Sequence, residues 1–214
     1  MSDINTCSDE IRACQLCALA KTRTLAVPGH GSVDAKILFV GEAPGANEDR
    51  QGIPFVGAAG QILDGMLKLI QLDRSAVFIT NIVKCRPPNN RDPFPDEKEA
   101  CSSYLDRQIN MLNPYVIVPL GRHAASHWFP NEPISKIRAQ PRQIGNLTLF
   151  PLYHPAAALH NGKLREAIQA DFLKLGELLV TLSFNNRPTT RSTPEVTKDP
   201  YPSPDKTPSQ MRML

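Results

Sequence analysis

The most constraining feature of the sequence is a tight turn that follows a short apolar run. The run Ile37-Leu38-Phe39-Val40 predicts a buried strand of a parallel sheet, and Gly41-Glu42-Ala43-Pro44-Gly45 predicts a sharp turn directly after it. Ligands of open α/β sheets bind beyond the carboxyl ends of the strands. Because the turn is neither a dinucleotide fingerprint nor a phosphate-binding loop, it indicates either another kind of ligand site or an ordinary connection between strand and helix.

Apolar runs and helical periodicity predict an α/β domain over residues 1–184. Strands are expected at 36–40, 77–81, 115–120 and 147–152, and helices at 8–20, 58–72, 96–112, 121–129 and 167–182. The segment 185–214 contains six prolines and few apolar residues. Such a segment cannot bury enough apolar surface to fold, so we expect a disordered tail there.

Composition limits the class of protein. The formal net charge of +3 neither requires nor excludes a nucleic-acid partner. No apolar run reaches the roughly 18 residues of a membrane-spanning helix, and the first residues lack the features of a signal peptide. We therefore expect a cytoplasmic protein without membrane association. In a reducing compartment, its five cysteines indicate metal or redox chemistry rather than disulfides.

Four of the cysteines have spacing suited to a metal centre. Cys14 and Cys17 form a close pair within the predicted first helix, whereas Cys85 and Cys101 stand alone in later segments. Four thiolates can bind zinc or an iron–sulfur cluster. Since zinc ribbons usually contain two close pairs, this spacing favours a cluster, although zinc and an unmetallated set remain alternatives. Cys7 is left over as a free thiol or a substitute ligand.

Polar side chains follow three of the predicted strands at their carboxyl ends. Glu42, Asn81 and His154 occupy these positions, and Phe55 lies on a loop between two predicted helical or turn segments. Each residue also has an ordinary interpretation, as a turn residue or, for Phe55, as a core aromatic. Their convergence on one edge of the sheet would form a pocket for a small molecule or a base.

Four motifs occur in order along the chain: Gly-Glu-Ala-Pro-Gly-Ala-Asn-Glu-Asp (41–49), Gly-x-Pro-Phe-Val-Gly (52–57), Thr-Asn-x-Val-Lys-Cys-Arg-Pro-Pro (80–88) and His-Pro-Ala-Ala (154–157). Together they resemble the family 4 uracil-DNA glycosylases, the iron–sulfur members of their superfamily. The resemblance covers about residues 8–182 and includes the four cysteines as cluster ligands.

The resemblance implies a uracil-DNA glycosylase-like fold, with a four-stranded parallel sheet flanked by helices and a [4Fe-4S] cluster. It implies a monofunctional enzyme that flips uracil out of single- or double-stranded DNA and hydrolyses its N-glycosidic bond, leaving an abasic site. By similarity, Phe55 would stack on uracil and Asn81 would bind its Watson–Crick edge. Glu42 would lie near C5 and disfavour thymine, while His154 would face O2 and stabilise the departing anion.

One position departs from the wider superfamily. Many relatives carry a carboxylate where Ala43 stands, and that carboxylate positions the attacking water. Asn90 and Glu48 are the candidates for this task here, and Asn90 is preferred because a water attacking an oxocarbenium ion needs placement more than deprotonation. The resemblance also implies that the cluster has a structural role.

Two relatives without glycosylase activity are the rival interpretations. One binds uracil covalently through a histidine in a Lys-Arg-Arg-Ile-His loop, but this chain has Asn89-Asn90-Arg91-Asp92. The other is a non-catalytic iron–sulfur DNA-binding module, which would not need Glu42, Phe55 or His154. A zinc-bound structural protein is a third alternative. We expect the protein to act as a monomer.

Overall fold

The computed structural model describes residues 3–159 and 161–184, so the expected tail at 185–214 lies outside the described residues. Within them the chain forms one mixed sheet with helices on both faces. The helices are α1 (Ile4–Ala13), α2 (Ala46–Gln51), α3 (Ala58–Leu69), α4 (Pro95–Leu112), α5 (Gly121–Ala125), α6 (Ile134–Ile137) and α7 (Gly162–Phe184). The strands are β1 (His30–Gly31), β2 (Ile37–Gly41), β3 (Phe78–Asn81), β4 (Val116–Pro119), β5 (Arg142–Ile144) and β6 (Leu147–Leu149).

The sheet has the order β1-β3-β2-β4-β6-β5 in the described part of the chain. Its central strands β3, β2, β4 and β6 are parallel, as predicted. The expectation of a purely four-stranded parallel sheet is wrong, because β1 and β5 add antiparallel edges. These edge strands have two and three residues. Neither contains the apolar run by which the central strands were recognised.

Both faces of the central strands are buried, which explains their continuous apolar sequence. Leu38 and Val40 of β2 face a core shared with α1 and α4, whereas Ile37 and Phe39 face the other core. In that second core the ring of Phe39 stacks on Phe172 of α7, with centroids 6.2 Å apart. Helices on the two faces therefore fix the strand ends from both sides. None of the described helices is long and apolar enough to cross a membrane.

The first helix ends at Ala13, earlier than predicted, and this places the Cys14–Cys17 pair outside it. Cys14 and Cys17 both have extended backbone conformations, between α1 and a short 3₁₀ segment at Ala18–Lys21. The Arg23 guanidinium donates to the carbonyls of Arg12 (2.9 Å) and Cys14 (2.8 Å), which satisfies the helix end. The apolar periodicity that predicted a helix over 8–20 was misleading, because Leu16, one of its apolar positions, is 65% exposed and does not belong to a buried helix face.

Two glycines of α3 provide a test of how the fold positions Phe55. A Cβ at Gly60 would lie 1.7 Å from the Phe55 carbonyl oxygen, whereas a Cβ at Gly65 would meet nothing within 4 Å. We expect Gly60→Ala to destabilise the protein by about 1–3 kcal/mol, through the backbone shift it forces. Gly65→Ala, the matched control, should stabilise it by about 0.5–1 kcal/mol, since alanine is the better helix former. Chemical denaturation measures both, and equal effects would contradict this account of Gly60.

Candidate active site

The ends of the parallel strands bring Asn81 and Phe55 together around a glycine. Gly41 pairs in register with Asn81 at the carboxyl ends of β2 and β3. A Cβ at Gly41 would lie 2.3 Å from the Asn81 Oδ1 atom and 2.9 Å from the Phe55 ring. Gly41 is therefore needed because the Asn81 amide and the Phe55 ring share the space that any larger residue would fill. Asn81 itself is only 2% exposed.

His154 joins the same group from the segment after β6, which lies beyond β2 and β4 in the strand order. Its ring stacks on Phe55 with centroids 5.6 Å apart and an interplanar angle of 27°. Gly121 makes room for it, because a Cβ there would lie 2.9 Å from the His154 Cβ, and its φ of +85° also favours glycine. Two of the three strand-end residues, Asn81 and His154, thus form one contiguous group with Phe55.

The protonation state of His154 follows from its surroundings. Its Nδ1 atom accepts a hydrogen bond from the Ala156 backbone N–H at 3.1 Å. Burial lowers the pKa of His154 to about 4, although the negative charge of Glu48 acts in the opposite direction. At neutral pH the ring is uncharged. Because Nδ1 is an acceptor, the single ring proton lies on Nε2, which is therefore a hydrogen-bond donor.

The two candidates for positioning water occupy different environments. The Glu48 Oε1 atom accepts the backbone N–H groups of Val56 and Gly57, each at 2.9 Å. Asn90 is exposed on a separate loop, where its Oδ1 atom accepts from Arg86 Nε at 2.7 Å. The structure therefore places Glu48 against the Phe55 loop and close enough to His154 to affect its pKa, and it pairs Asn90 with Arg86.

Glu42 belongs to a small polar group that includes a histidine the sequence interpretation missed. His123 Nε2 lies 3.9 Å from Glu42 Oε2 and 3.2 Å from Asp92 Oδ2. Burial, followed by the negative charge of Asp92, raises the pKa of Glu42. His123 comes just after β4, so the strand-end rule that identified Glu42 could also have identified His123. Arg74, which contacts the Phe55 loop, carried no such signal.

The four spaced cysteines are distributed over three segments near the same end of β3. Cys14 and Cys17 flank the turn after α1, Cys85 follows β3 and Cys101 lies in α4. Arg23 Nη1 donates to the Cys85 sulfur at 3.0 Å, and the Lys84 backbone N–H donates to the Cys101 sulfur at 3.3 Å. Burial raises the pKa of the Cys85 thiol, and that of the Cys101 thiol to about 11, whereas these two donors act in the opposite direction and favour the thiolate, the form that binds metal.

Lys84 connects the cysteine segment with the strand-end group. Its side chain is fully buried, and Nζ donates to the Asn81 carbonyl (2.6 Å), Thr80 Oγ1 (2.9 Å) and Gln108 Oε1 (2.8 Å). Burial lowers the pKa of Lys84 to about 8. Asn81, three residues before Lys84, therefore belongs to the candidate pocket, and Cys85, immediately after Lys84, is a candidate metal ligand.

Comparison with known proteins identifies relatives over most of the chain. The model of the Uracil DNA glycosylase superfamily matches residues 28–175. The chain is similar to the Type-4 uracil-DNA glycosylase of Sulfurisphaera tokodaii, with 49% identity over 85% of this chain and 87% of that protein. The proteins of the same name from Saccharolobus solfataricus (48% identity, 84% and 88% coverage) and Archaeoglobus fulgidus (46% identity, 83% and 94% coverage) are also similar.

The lowered pKa of His154 predicts a specific dependence of stability on pH. As pH falls below about 6.5, the unfolded chain takes up a proton that the folded protein accepts only near pH 4. The stabilising contribution of neutral His154 is therefore present above pH 6.5 and is lost between pH 6.5 and 4. Between pH 7.5 and 5, the wild type should lose roughly 2 kcal/mol more free energy of unfolding than His154→Asn.

Denaturation of both proteins at each pH measures this difference, and all other titrating groups are common to the pair. Parallel pH profiles would show that His154 is protonated in the folded protein as readily as in the unfolded chain.

Proposed function

Starting from the fact that this chain belongs to the uracil DNA glycosylase superfamily, we propose that it removes uracil from DNA by hydrolysing the N-glycosidic bond. The products are free uracil and an abasic site, the first intermediate of base excision repair. The observation that carries the proposal is the contiguous group of Phe55, Asn81 and His154 at the strand ends. The similarity to Type-4 uracil-DNA glycosylases over most of the chain supports it.

Recognition begins with extrusion of the base, because the target bond cannot be reached inside a stacked duplex. The Phe55 ring offers a flat apolar surface for the flipped base. The Asn81 amide supplies both a donor and an acceptor, which matches the Watson–Crick edge of uracil and not that of cytosine. A mismatched base would leave the buried amide unpaired, at a cost of about 1–3 kcal/mol. Glu42 is the proposed group near C5 that disfavours the methyl group of thymine.

His154 is the proposed group that stabilises the leaving base. When the glycosidic bond breaks, negative charge spreads over uracil toward O2. The neutral imidazole carries its proton on Nε2, fixed by the bond from Ala156 N–H to Nδ1. A preorganised donor directed at an oxygen that gains charge acts mainly on the transition state. The low pKa of His154 therefore suits a hydrogen-bond donor rather than a proton donor.

The attacking water needs a positioning group, and Asn90 is the proposed one, with Glu48 as the second candidate. An amide is sufficient if the sugar becomes an oxocarbenium ion before the water attacks. Asn90 lies on the loop that also carries Asp92, which contacts His123 beside Glu42. The loop is thereby connected to the wall of the proposed pocket. Glu48 Oε1 binds two backbone amides and Asn90 Oδ1 binds Arg86, so the preference for Asn90 rests on the sufficiency of an amide.

The residues present fit an iron–sulfur centre, and we propose that Cys14, Cys17, Cys85 and Cys101 bind a [4Fe-4S] cluster. Arg23 supports this assignment, since its guanidinium joins the Cys85 sulfur to the carbonyls on the Cys14 side. When bound, the cluster would supply a cross-link between the N-terminal segment, the loop after β3 and α4. Its proposed role is structural, because it holds the loop that leads to Asn90.

The proposed partner is uracil-containing DNA, single- or double-stranded, bound by a monomer. None of the five cysteines, all of which lie among the described residues, forms a disulfide, and the proposed location is the reducing cytoplasm. A covalent uracil-binding activity is not favoured because the loop at 89–92 contains no histidine. A non-catalytic DNA-binding role is not favoured because it would not require the group around Phe55.

Incubation with an end-labelled oligonucleotide that contains one uracil tests the proposed reaction. We expect free uracil, and strand cleavage only after alkali, since the group of Phe55, Asn81 and His154 includes no lysine and the neighbouring Lys84 amine is bound to the Asn81 carbonyl. His154→Ala should reduce the single-turnover rate by about 100- to 1,000-fold, the typical effect of losing one transition-state donor. A folded His154→Ala protein with a near-normal rate would remove His154 from the mechanism.

Binding to DNA with an uncleavable uracil analogue separates the two proposed roles. Asn81 contacts an edge of the base that is present before and during the reaction, so Asn81→Ala should clearly weaken binding. His154→Ala should bind the analogue almost as well as the wild type. The reverse pattern would exchange the two assignments.

Two cysteine variants test the ligand set of the cluster. Cys7 is fully buried near the start of α1 and is not a proposed ligand, so Cys7→Ala should keep its iron content and yellow-brown colour. The matched variant Cys14→Ala should lose both. Elemental analysis of the purified proteins measures the iron, and loss of iron in Cys7→Ala alone would overturn the assignment.

A further inference from the structure

The backbone of the Phe55 loop has a conformation that its surroundings must impose. Phe55 has a φ of +55°, in the left-handed region that residues with a bulky side chain rarely adopt. Its side chain is nevertheless buried, with 6% exposure. Conformations of this kind persist only where other contacts hold them, and they concentrate at functional sites. The contacts that hold Phe55 therefore determine where its ring points.

Arg74 holds the loop on the carbonyl side. It lies between α3 and β3, and its Nη1 donates to the Pro54 carbonyl at 3.0 Å while Nη2 donates to the Phe55 carbonyl. Its Nε donates to Asp64 Oδ1 of α3 at 2.6 Å. A guanidinium presents its donors in a rigid planar fork. With Nε fixed by α3, the other two nitrogens can fix two successive carbonyl groups.

Glu48 holds the same loop on the amide side. Its Oε1 accepts the N–H groups of Val56 and Gly57, the two residues that follow Phe55. The acidic side chain of α2 and the basic side chain beyond α3 thus bind opposite kinds of backbone group on either side of Phe55. Gly60 completes the arrangement, because only a residue without Cβ tolerates the Phe55 carbonyl at this distance.

We infer that Arg74 is a positioning residue for uracil excision, which acts through Phe55 and not through contact with DNA. The inference rests on the proposed function, since it assumes that the Phe55 ring stacks on the extruded base. Without the guanidinium fork, the left-handed backbone at Phe55 relaxes and the ring leaves the plane against which His154 and the base would lie. Glu48 supports the same geometry from α2.

Single-turnover kinetics on uracil-containing DNA test this inference. Arg74→Ala should lower the rate by about 10- to 100-fold, because displacement of a reacting group by about 1 Å from a distant change has effects of this size. Arg74→Lys should lose less, since an ammonium can reach one carbonyl but cannot form the fork. Arg142→Ala is the matched control, as this arginine pairs with Glu132 beside edge strand β5, and its rate should equal that of the wild type.

A double variant distinguishes positioning from general stability. If Arg74 acts only through Phe55, adding Arg74→Ala to Phe55→Ala should produce no further loss of rate. If the fold-loss of rate in the double variant instead equals the product of the two single losses, the inference is overturned. A wild-type rate in Arg74→Ala would also overturn it. Circular dichroism and thermal unfolding check each variant, and if Arg74→Ala does not fold, the same cycle is run with Arg74→Lys. A wild type that releases no uracil would instead refute the proposed function.

Discussion

The buried amine of Lys84 holds together the end of the sheet on which both candidate sites depend. Its three hydrogen bonds reach Thr80, the Asn81 carbonyl and Gln108 of α4, and Gln108 in turn donates to the Pro28 carbonyl at 2.6 Å. An ammonium without partners in this core would be very unfavourable, so each partner is needed. The network therefore fixes the carboxyl end of β3 against α4 and against the loop that precedes β1.

This fixed strand end explains why two chemically different groups can occur within five residues. The Asn81 side chain faces the pocket while its carbonyl binds Lys84. Beyond the end of β3, Cys85 lies on the side of Cys14 and binds Arg23. A cross-link at the cysteines would hold the loop on which Asn90 lies, whereas it would not reach the His154 side of the sheet. The proposed structural role of a cluster is thus to order the loop that carries Asn90, and the pocket itself is shaped by strand ends and glycines.

Much of this arrangement could be predicted from the sequence, because short apolar runs mark the central strands and polar residues follow them. In the structure Glu42, Asn81 and His154 all lie at or after the carboxyl ends of parallel strands, whereas their roles stay predictions. The rule of apolar runs could not reveal β1 and β5, whose pairing depends on neighbouring strands and not on their own composition. It also could not reveal Arg74, because its contacts to the Phe55 loop are formed across α3 and leave no local pattern in the sequence.

The charge state of His154 is a property of the assembled pocket, and it has a mechanistic consequence. Stacking on Phe55 removes water from one face of the imidazole and contributes to the burial that keeps the ring neutral. The same exclusion of water strengthens a hydrogen bond from Nε2 to a developing oxyanion, since the local dielectric is low. A charged imidazolium would bind that anion more strongly, but its formation at neutral pH carries a free-energy cost in this pocket, because burial holds the pKa of His154 at about 4. A neutral donor held in place by Ala156 and Phe55 avoids this cost, and in the proposed mechanism it would couple leaving-group stabilisation to the aromatic ring that receives the base.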